Sequence, residues 1–254
     1  MPFVLEAVCK SWRQAVLSTP HLWCTITLGF YESRRAHILH EKLEPCLSRS
    51  KSLPLHISLQ ASPALSKSLD EAVAMLLKES HRWRTFHFAT FSEAFSILKK
   101  TKDLHVPMLH SLVSIPKFCG LDFPPSIFNS AQLATLELNR MSPKLLSLRW
   151  DSIETLRVTL GLDDCLFLFR VAHFIRTCQL TIERSTLEEL PTESYLQPYL
   201  STLTFTEQDE SRHIFPSITT PELRKLSTVI GKDVCIADLI QMIERSSCHL
   251  VVLD

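Results

Sequence analysis

Glycine is scarce in this chain, which has four glycines among its 254 residues. Loops that hold a phosphate group are rich in glycine, because the backbone must approach the ligand closely and adopt positive φ. The sequence has too few glycines for such a loop, and it also lacks the G-x-S-x-G, H-E-x-x-H and P-loop motifs. We therefore expect a protein that is not an enzyme, with no catalytic residues, no cofactor and no metal.

Net charge is also absent, because 27 Lys and Arg residues balance 27 Asp and Glu residues. A chain without an overall positive field has no general attraction for nucleic acid or for an acidic membrane surface. The most apolar segment, residues 165–175, is too short to span a bilayer and contains Arg170 and His173. The sequence therefore predicts neither nucleic acid nor a membrane as a partner.

The eight cysteines form no C-x-x-C pair and are scattered along the chain. The N-terminal residues MPFVLEAVCKSW do not have the pattern of a signal peptide. These features are typical of free, buried cysteines in a reducing compartment. We expect a soluble protein of the cytoplasm or the nucleus.

Two groups of residues could in principle support metal or thiol chemistry. His37 and His40 are three residues apart on a predicted helix, but no further ligand completes a zinc site, which favours an exposed helix face. Cys165 and His173 lie in one apolar segment, so we expect a buried, unreactive thiol there.

Leucine at a regular spacing is what the chain has in abundance. Residues 133–139 read LATLELN, in the frame L-x-x-L-x-L. Because alternate residues of a strand point to opposite faces, Leu136 and Leu138 are predicted to face a core, and Glu137 and Asn139 to face away from it.

The same frame recurs along the chain. Clear copies are Trp83/Phe86/Phe88, Ile153/Leu156/Val158 and Leu200/Leu203/Phe205, and weaker copies centre on Leu112, Leu180, Leu226 and Leu253. The second positions of successive copies are about 20 to 27 residues apart, which is typical of leucine-rich repeats. The predicted fold is an α/β leucine-rich-repeat solenoid, a curved array of strand-plus-helix repeats. An ordinary α/β domain with leucine-rich strands is the alternative.

Other patterns predict the elements between these strands. Helices are predicted over residues 4–16, 32–47, 65–77, 92–100, 162–174 and 234–246, and further strands over residues 25–28 and 53–59. Residues 118–130, with two adjacent prolines, are predicted to be a loop.

In a leucine-rich solenoid the strands line the concave side, and their polar positions form a broad surface. This surface is predicted to bind a protein partner through Arg84, Thr85, His87, Glu137, Asn139, Glu154, Arg157, Gln179, Thr181, Glu183, Thr202, Thr204, Arg224 and Lys225. The usual Asn or Cys three residues after the last Leu of the frame is missing, which predicts an irregular array.

The N-terminal segment resembles part of an F-box. Residues 8–13 read VCKSWR, and LSTP at 17–20 and Leu22-Trp23 follow. Together they are similar to the second half of the F-box in a large fungal group of F-box-like proteins with leucine-rich repeats. The resemblance implies two parts, partial F-box-like helices at 1–28 and an irregular solenoid at 29–254. The F-box residues that it implies, adaptor-facing or structural, are Val8, Cys9, Trp12, Arg13, Leu22 and Trp23.

The resemblance also implies a function, as the substrate-recruiting subunit of a cullin-RING (SCF) ubiquitin ligase. An F-box normally opens with a Leu-Pro-x-Glu turn and a first helix, which have no counterpart in this sequence. We therefore expect weak binding or no binding to the SCF adaptor protein, with an unknown protein substrate on the solenoid. A leucine-rich-repeat scaffold without a ligase role is the alternative. Trp12 and Trp23 are both expected to be buried at the first end of the solenoid.

Overall fold

The structure is a computed structural model. It describes residues 2–30, 36–61, 66–90, 101, 104–114, 128–183, 194–207, 214–229 and 236–254. The predicted helix 92–100 and most of the predicted loop 118–130 lie outside these residues. The chain forms two compact units, Met1–Gln132 and Leu133–Asp254. The boundary predicted after residue 28 stays a prediction.

Within its described residues, the first unit contains four helices and four parallel strands. The helices are α1 (Pro2–Glu6), α2 (Lys10–Leu17), α3 (Ala36–Arg49) and α4 (Ser66–Lys78), and the strands are β1 (Thr25–Phe30), β2 (Leu55–Ala61), β3 (Trp83–Thr90) and β4 (Ser111–Ser114). The strands lie side by side in chain order. Their register aligns the apolar residues Ile26, Ile57, Phe86 and Leu112 in one row.

The second unit repeats this arrangement with shorter connections. Its strands are β5 (Thr135–Asn139), β6 (Thr155–Gly161), β7 (Thr177–Glu183), β8 (Tyr195–Leu196), β9 (Thr202–Glu207), β10 (Ile218–Thr219), β11 (Lys225–Val229) and β12 (Val252–Leu253), and its helices are α5 (Leu162–Val171) and α6 (Ile236–Ser246). The order in the main sheet is β5-β6-β7-β9-β11-β12, and β8 pairs with β10. All of these pairings are parallel. The predicted α/β class is therefore confirmed.

The register corrects the predicted repeat frame in one strand. Leu156 of β6 aligns with Cys178 of β7, and Cys178 aligns with Leu203 of β9. The frame in β7 is therefore Ile175/Cys178/Leu180, two residues earlier than predicted. The prediction centred on Leu180 because leucine was used as the marker, whereas Cys178 fills the same buried position.

Side chains on the inner side of the strands are almost completely buried. Leu136, Leu156, Leu203 and Leu226 are each 0% exposed, and Cys178, which continues their row in β7, is 1% exposed. Complete burial of such a side chain contributes about 1.5–3 kcal/mol to folding. This inner row therefore fixes the strand register, because a slip by one residue would turn every leucine outward.

Polar side chains in the turns before the strands donate hydrogen bonds to backbone carbonyls in the turns before neighbouring strands. The hydroxyl of Ser152 donates to the carbonyl of Leu133, and that of Ser201 donates to the carbonyl of Arg176. In the first unit the guanidinium of Arg82 is buried and donates to the carbonyls of Lys51 and Leu53. A buried carbonyl without a partner is costly, so the bonds from Arg82 stabilise the turn that precedes β2.

The N-terminal segment differs from its prediction. Residues 4–16 form two short helices, α1 and α2, separated by a turn at residues 7–9. Trp23 is fully buried, and its indole N–H donates to the carbonyl of Val16 at 3.0 Å. Trp12, however, is 51% exposed, so the prediction that it is buried is wrong. The prediction assumed one continuous helix with one apolar stripe. Because the turn separates α1 from α2, Trp12 is not on the same face as the inward residues of α1.

Candidate protein-interaction surface

The outward side chains of the second unit's strands form a polar strand face. Two rows cross β5, β6 and β7, and each row takes one residue from each strand. The first row contains Glu137, Arg157 and Gln179, and the second contains Asn139, Thr159 and Thr181. These side chains point outward because successive residues of a strand face opposite sides, and the residues between them face the core.

These two rows line a groove of about 240 Å³. Its polar lining consists of Glu137, Asn139, Arg157, Thr159, Gln179 and Thr181. Five of these residues were predicted from the sequence as part of the partner surface. Thr159 was missed, although it lies two residues after Arg157 on the same strand and therefore faces the same side of the sheet.

The two charges in the groove form a loose pair. An oxygen of the Glu137 carboxylate is 4.0 Å from a guanidinium nitrogen of Arg157, and the Arg157 side chain is 59% exposed. Exposed pairs of this kind contribute at most about 1 kcal/mol to stability. Both groups therefore remain available to a partner at little cost to the fold.

An ion pair lies next to the groove, at the carboxyl ends of β5 and β7. The guanidinium of Arg140, just after β5, reaches the carboxylate of Glu183 at the end of β7, with a distance of 2.7 Å. In the register Glu183 pairs with Gly161 of β6, which has no side chain. Glu183 was a predicted surface residue. Arg140 was missed. Its φ of 56° lies in the left-handed region, but the sequence gives no sign of this because the residue is neither glycine nor asparagine.

Other predicted residues of this surface lie outside the groove. Glu154 precedes β6, and its carboxylate is 4.0 Å from the guanidinium of Arg176. Arg224 is 3.8 Å from Glu222 and is also exposed at the start of its strand. Thr204 continues the first row beyond Gln179, and Lys225 and Thr202 pair with each other one row earlier.

The first unit has a separate strand face with histidine and hydroxyl groups. The Nδ1 atom of His87 is 3.3 Å from the hydroxyl oxygen of Ser58, and the Nδ1 of His56 is 3.1 Å from that of Thr85. The Nε2 of His87 is buried and has no hydrogen-bond partner among the described residues. A serine nucleophile requires a base that is itself oriented by a third group, and the described contacts of His87 provide none. Arg84, predicted for the same surface, is exposed.

The N-terminal segment, residues 4–28, exposes apolar side chains. Val8 is 60% exposed, Trp12 51% and Leu22 40%. Cys9 and Arg13 are exposed as well, and the Nε of Arg13 donates to the carbonyl of Glu6. The residues predicted as adaptor-facing or structural therefore divide into an exposed group and one buried anchor, Trp23.

The anchor holds the N-terminal helices in place. The ring of Phe3 meets the Trp23 ring edge-on, with 5.2 Å between centroids. The guanidinium of Arg49, in α3, lies 4.4 Å from the Trp23 ring centroid and also pairs with Glu6 at 3.1 Å. These contacts fix α1 and α3 around one indole ring.

Burial makes the central thiols unreactive. Burial, with a smaller contribution from the Asp164 carboxylate, raises the pKa of the Cys165 thiol to about 12. His173 is exposed, whereas Cys165 is fully buried, which agrees with the predicted buried cysteine. Among the described residues no three His, Cys, Asp or Glu side chains are grouped to hold a metal. The side chains of His37 and His40 lie outside the described ones.

None of the helices within the described ranges has the length and apolar character to cross a membrane. A search against models of known protein families finds no match for the chain. A search of curated proteins also finds no match.

Proposed function

We propose that the chain is a non-catalytic, substrate-recruiting subunit of a cullin-RING (SCF) ubiquitin ligase in the cytoplasm or nucleus. In this proposal the F-box-like segment docks on the adaptor protein, and an irregular leucine-rich-repeat solenoid holds a protein substrate. The exposure of Val8, Trp12 and Leu22 is the observation that carries it. Large apolar side chains that remain exposed in a folded protein are typical of protein-protein interfaces.

The order of the strands supports the solenoid. Within each unit, most neighbours in the main sheet are also successive strands of the chain, and all of them are parallel. Repeats that contact only their neighbours produce this order. The polar strand face then presents one side chain per repeat in each row, which suits a broad protein-binding surface.

Binding to the purified adaptor tests the ligase role. Titration calorimetry at tens of micromolar adaptor is expected to detect a weak complex, because the sequence resembles only the second half of an F-box. Trp12→Ala should weaken the complex by at least about tenfold, as for an aromatic residue at the centre of an interface. The matched control is Phe174→Ala, which removes an equally exposed aromatic ring from the second unit.

A leucine-rich-repeat scaffold without a ligase role is the second candidate. The groove favours it, because all of its lining residues belong to the second unit and none to the F-box-like segment. Absence of any adaptor complex, or equal binding by wild type and Trp12→Ala, would contradict the ligase role and leave the scaffold.

A further inference from the structure

The charge of the groove restricts the class of its ligand. Glu137 and Arg157 are the charged residues that line it, and their charges cancel. Binding to nucleic acid requires cations that neutralise several phosphates. A groove with one cation held 4.0 Å from a carboxylate does not supply them. A ligand that suits it carries no net charge.

The amide groups in the groove are free. Asn139 and Gln179 each have a side-chain carbonyl that accepts hydrogen bonds and an NH₂ group that donates them. Among the described residues, neither amide has a hydrogen-bond partner within the protein, and neither is sealed from solvent. Thr159 and Thr181 share the second row with Asn139, and among the described residues their hydroxyls have no hydrogen-bond partner.

Its dimensions exclude several other ligand classes. About 240 Å³ is below the roughly 300–1,000 Å³ of typical small-molecule sites. The lining contains no aromatic ring on which a nucleic-acid base could stack. Since neighbouring strands are about 4.8 Å apart, the groove measures about 10 Å from β5 to β7, which is the length of about three extended residues.

From these observations we propose that the groove binds an extended peptide segment of zero net charge and recognises its main chain through Asn139 and Gln179. A peptide group has one N–H and one carbonyl, which match the acceptor and donor of a side-chain amide. The Arg140–Glu183 ion pair limits the segment at the carboxyl end of the strands. The assignment rests on the proposed function, since it names the kind of substrate that this face would hold.

A library of random 12-residue peptides displayed on phage, selected on the purified chain, tests the proposal. The selected peptides are expected to cluster at zero net charge. As synthetic peptides in fluorescence anisotropy, they should bind Asn139→Ala and Gln179→Ala about fivefold more weakly per lost amide. Their affinity should change less than about twofold between 0.05 and 0.5 M NaCl, because no net charge is involved.

The control variant is Gln241→Ala, which removes an exposed amide from α6 of the same unit and should bind as the wild type does. Asn139→Asp with Gln179→Glu keeps the shape and removes the donors, so it replaces the alanine variants if they fail to fold. Selection of strongly charged peptides, unchanged affinity in the amide variants, or no enrichment at all would overturn the proposal. Preferred binding of a single-stranded oligonucleotide or an oligosaccharide would overturn it too.

Adaptor binding by the same variants separates this proposal from the ligase role. Asn139→Ala and Gln179→Ala should leave the adaptor complex unchanged, and Trp12→Ala should leave peptide binding unchanged. Peptide binding without adaptor binding would contradict the ligase role alone. Adaptor binding without peptide binding would contradict the peptide groove alone.

Discussion

The two units share an inner pattern and differ in what they present outward. In both, buried leucine, isoleucine or phenylalanine side chains align from strand to strand. Outward, the first unit carries the contacts of His56 and His87 with hydroxyl groups, whereas the second carries acids, bases and amides. Packing therefore constrains only one side of each strand, and the other side is free to acquire binding chemistry.

The units also differ in how they anchor their strands. In the first unit, Trp23 and Trp83 each donate an indole N–H to a helix carbonyl seven residues earlier, at Val16 and Leu76. Both carbonyls belong to the last turn of a helix, and each also accepts a hydrogen bond from the backbone N–H three residues later. In the second unit the largest fully buried side chains are Phe169, Phe205 and Phe215, whose rings have no N–H to donate. The first unit should therefore be more sensitive to the loss of a single side chain.

Trp23→Ala should have the largest effect. It removes a fully buried ring together with its hydrogen bond, and should lower the free energy of unfolding by about 3–5 kcal/mol. Trp12→Ala is the matched variant and should cost less than about 1 kcal/mol, because Trp12 is half exposed. Urea unfolding followed by circular dichroism measures both. Equal losses would contradict the division of the N-terminal segment into one anchor and an exposed group.

Arg82→Met should have the next largest effect and compares the two units directly. The guanidinium of Arg82 is almost completely buried and bonds Glu79, Ser50 and the carbonyls at the end of α3. Removing it leaves those groups without partners, so we expect a loss of about 3 kcal/mol.

Arg245→Met is the matched variant in the second unit. Arg245 also bonds backbone carbonyls, those of Phe215 and Ile218, but it is exposed. Because water can replace its bonds, the expected loss is about 1 kcal/mol. The same urea unfolding measures both arginines. A larger loss for Arg245 than for Arg82 would show that the second unit depends on its polar anchors more than the first.

The fold class and most of the groove could be predicted from the sequence, whereas the ends of the elements could not. Strand alternation is local and periodic, so Glu137, Asn139 and Arg157 follow from it directly. The Arg140–Glu183 pair depends on which strands are neighbours, and the exposure of Trp12 depends on a turn that helical periodicity does not reveal. Both are tertiary features, so neither has a signal within a short stretch of sequence.

Alkaline pH should have the smallest effect, and it acts on the small buried residues of the second unit. Burial raises the pKa of Cys165 from 9.0 to about 12, and burial also raises that of Cys178. Below about pH 9 the Cys165 thiol is neutral in both the folded and the unfolded chain, so its contribution does not vary with pH. Between its unfolded and folded pKa values only the unfolded chain releases the proton, and stability falls as the pH rises.

The slope for one thiol is about 1.4 kcal/mol per pH unit in this range. Urea unfolding at pH 8, 9 and 10 should therefore show a steeper loss for the wild type than for Cys165→Ala, which lacks the thiol. Cys9→Ala is the matched control, because Cys9 is exposed and should leave the slope unchanged. Equal slopes for the wild type and Cys165→Ala would mean that the folded chain admits the thiolate, and that the core of the second unit is open to water at this position.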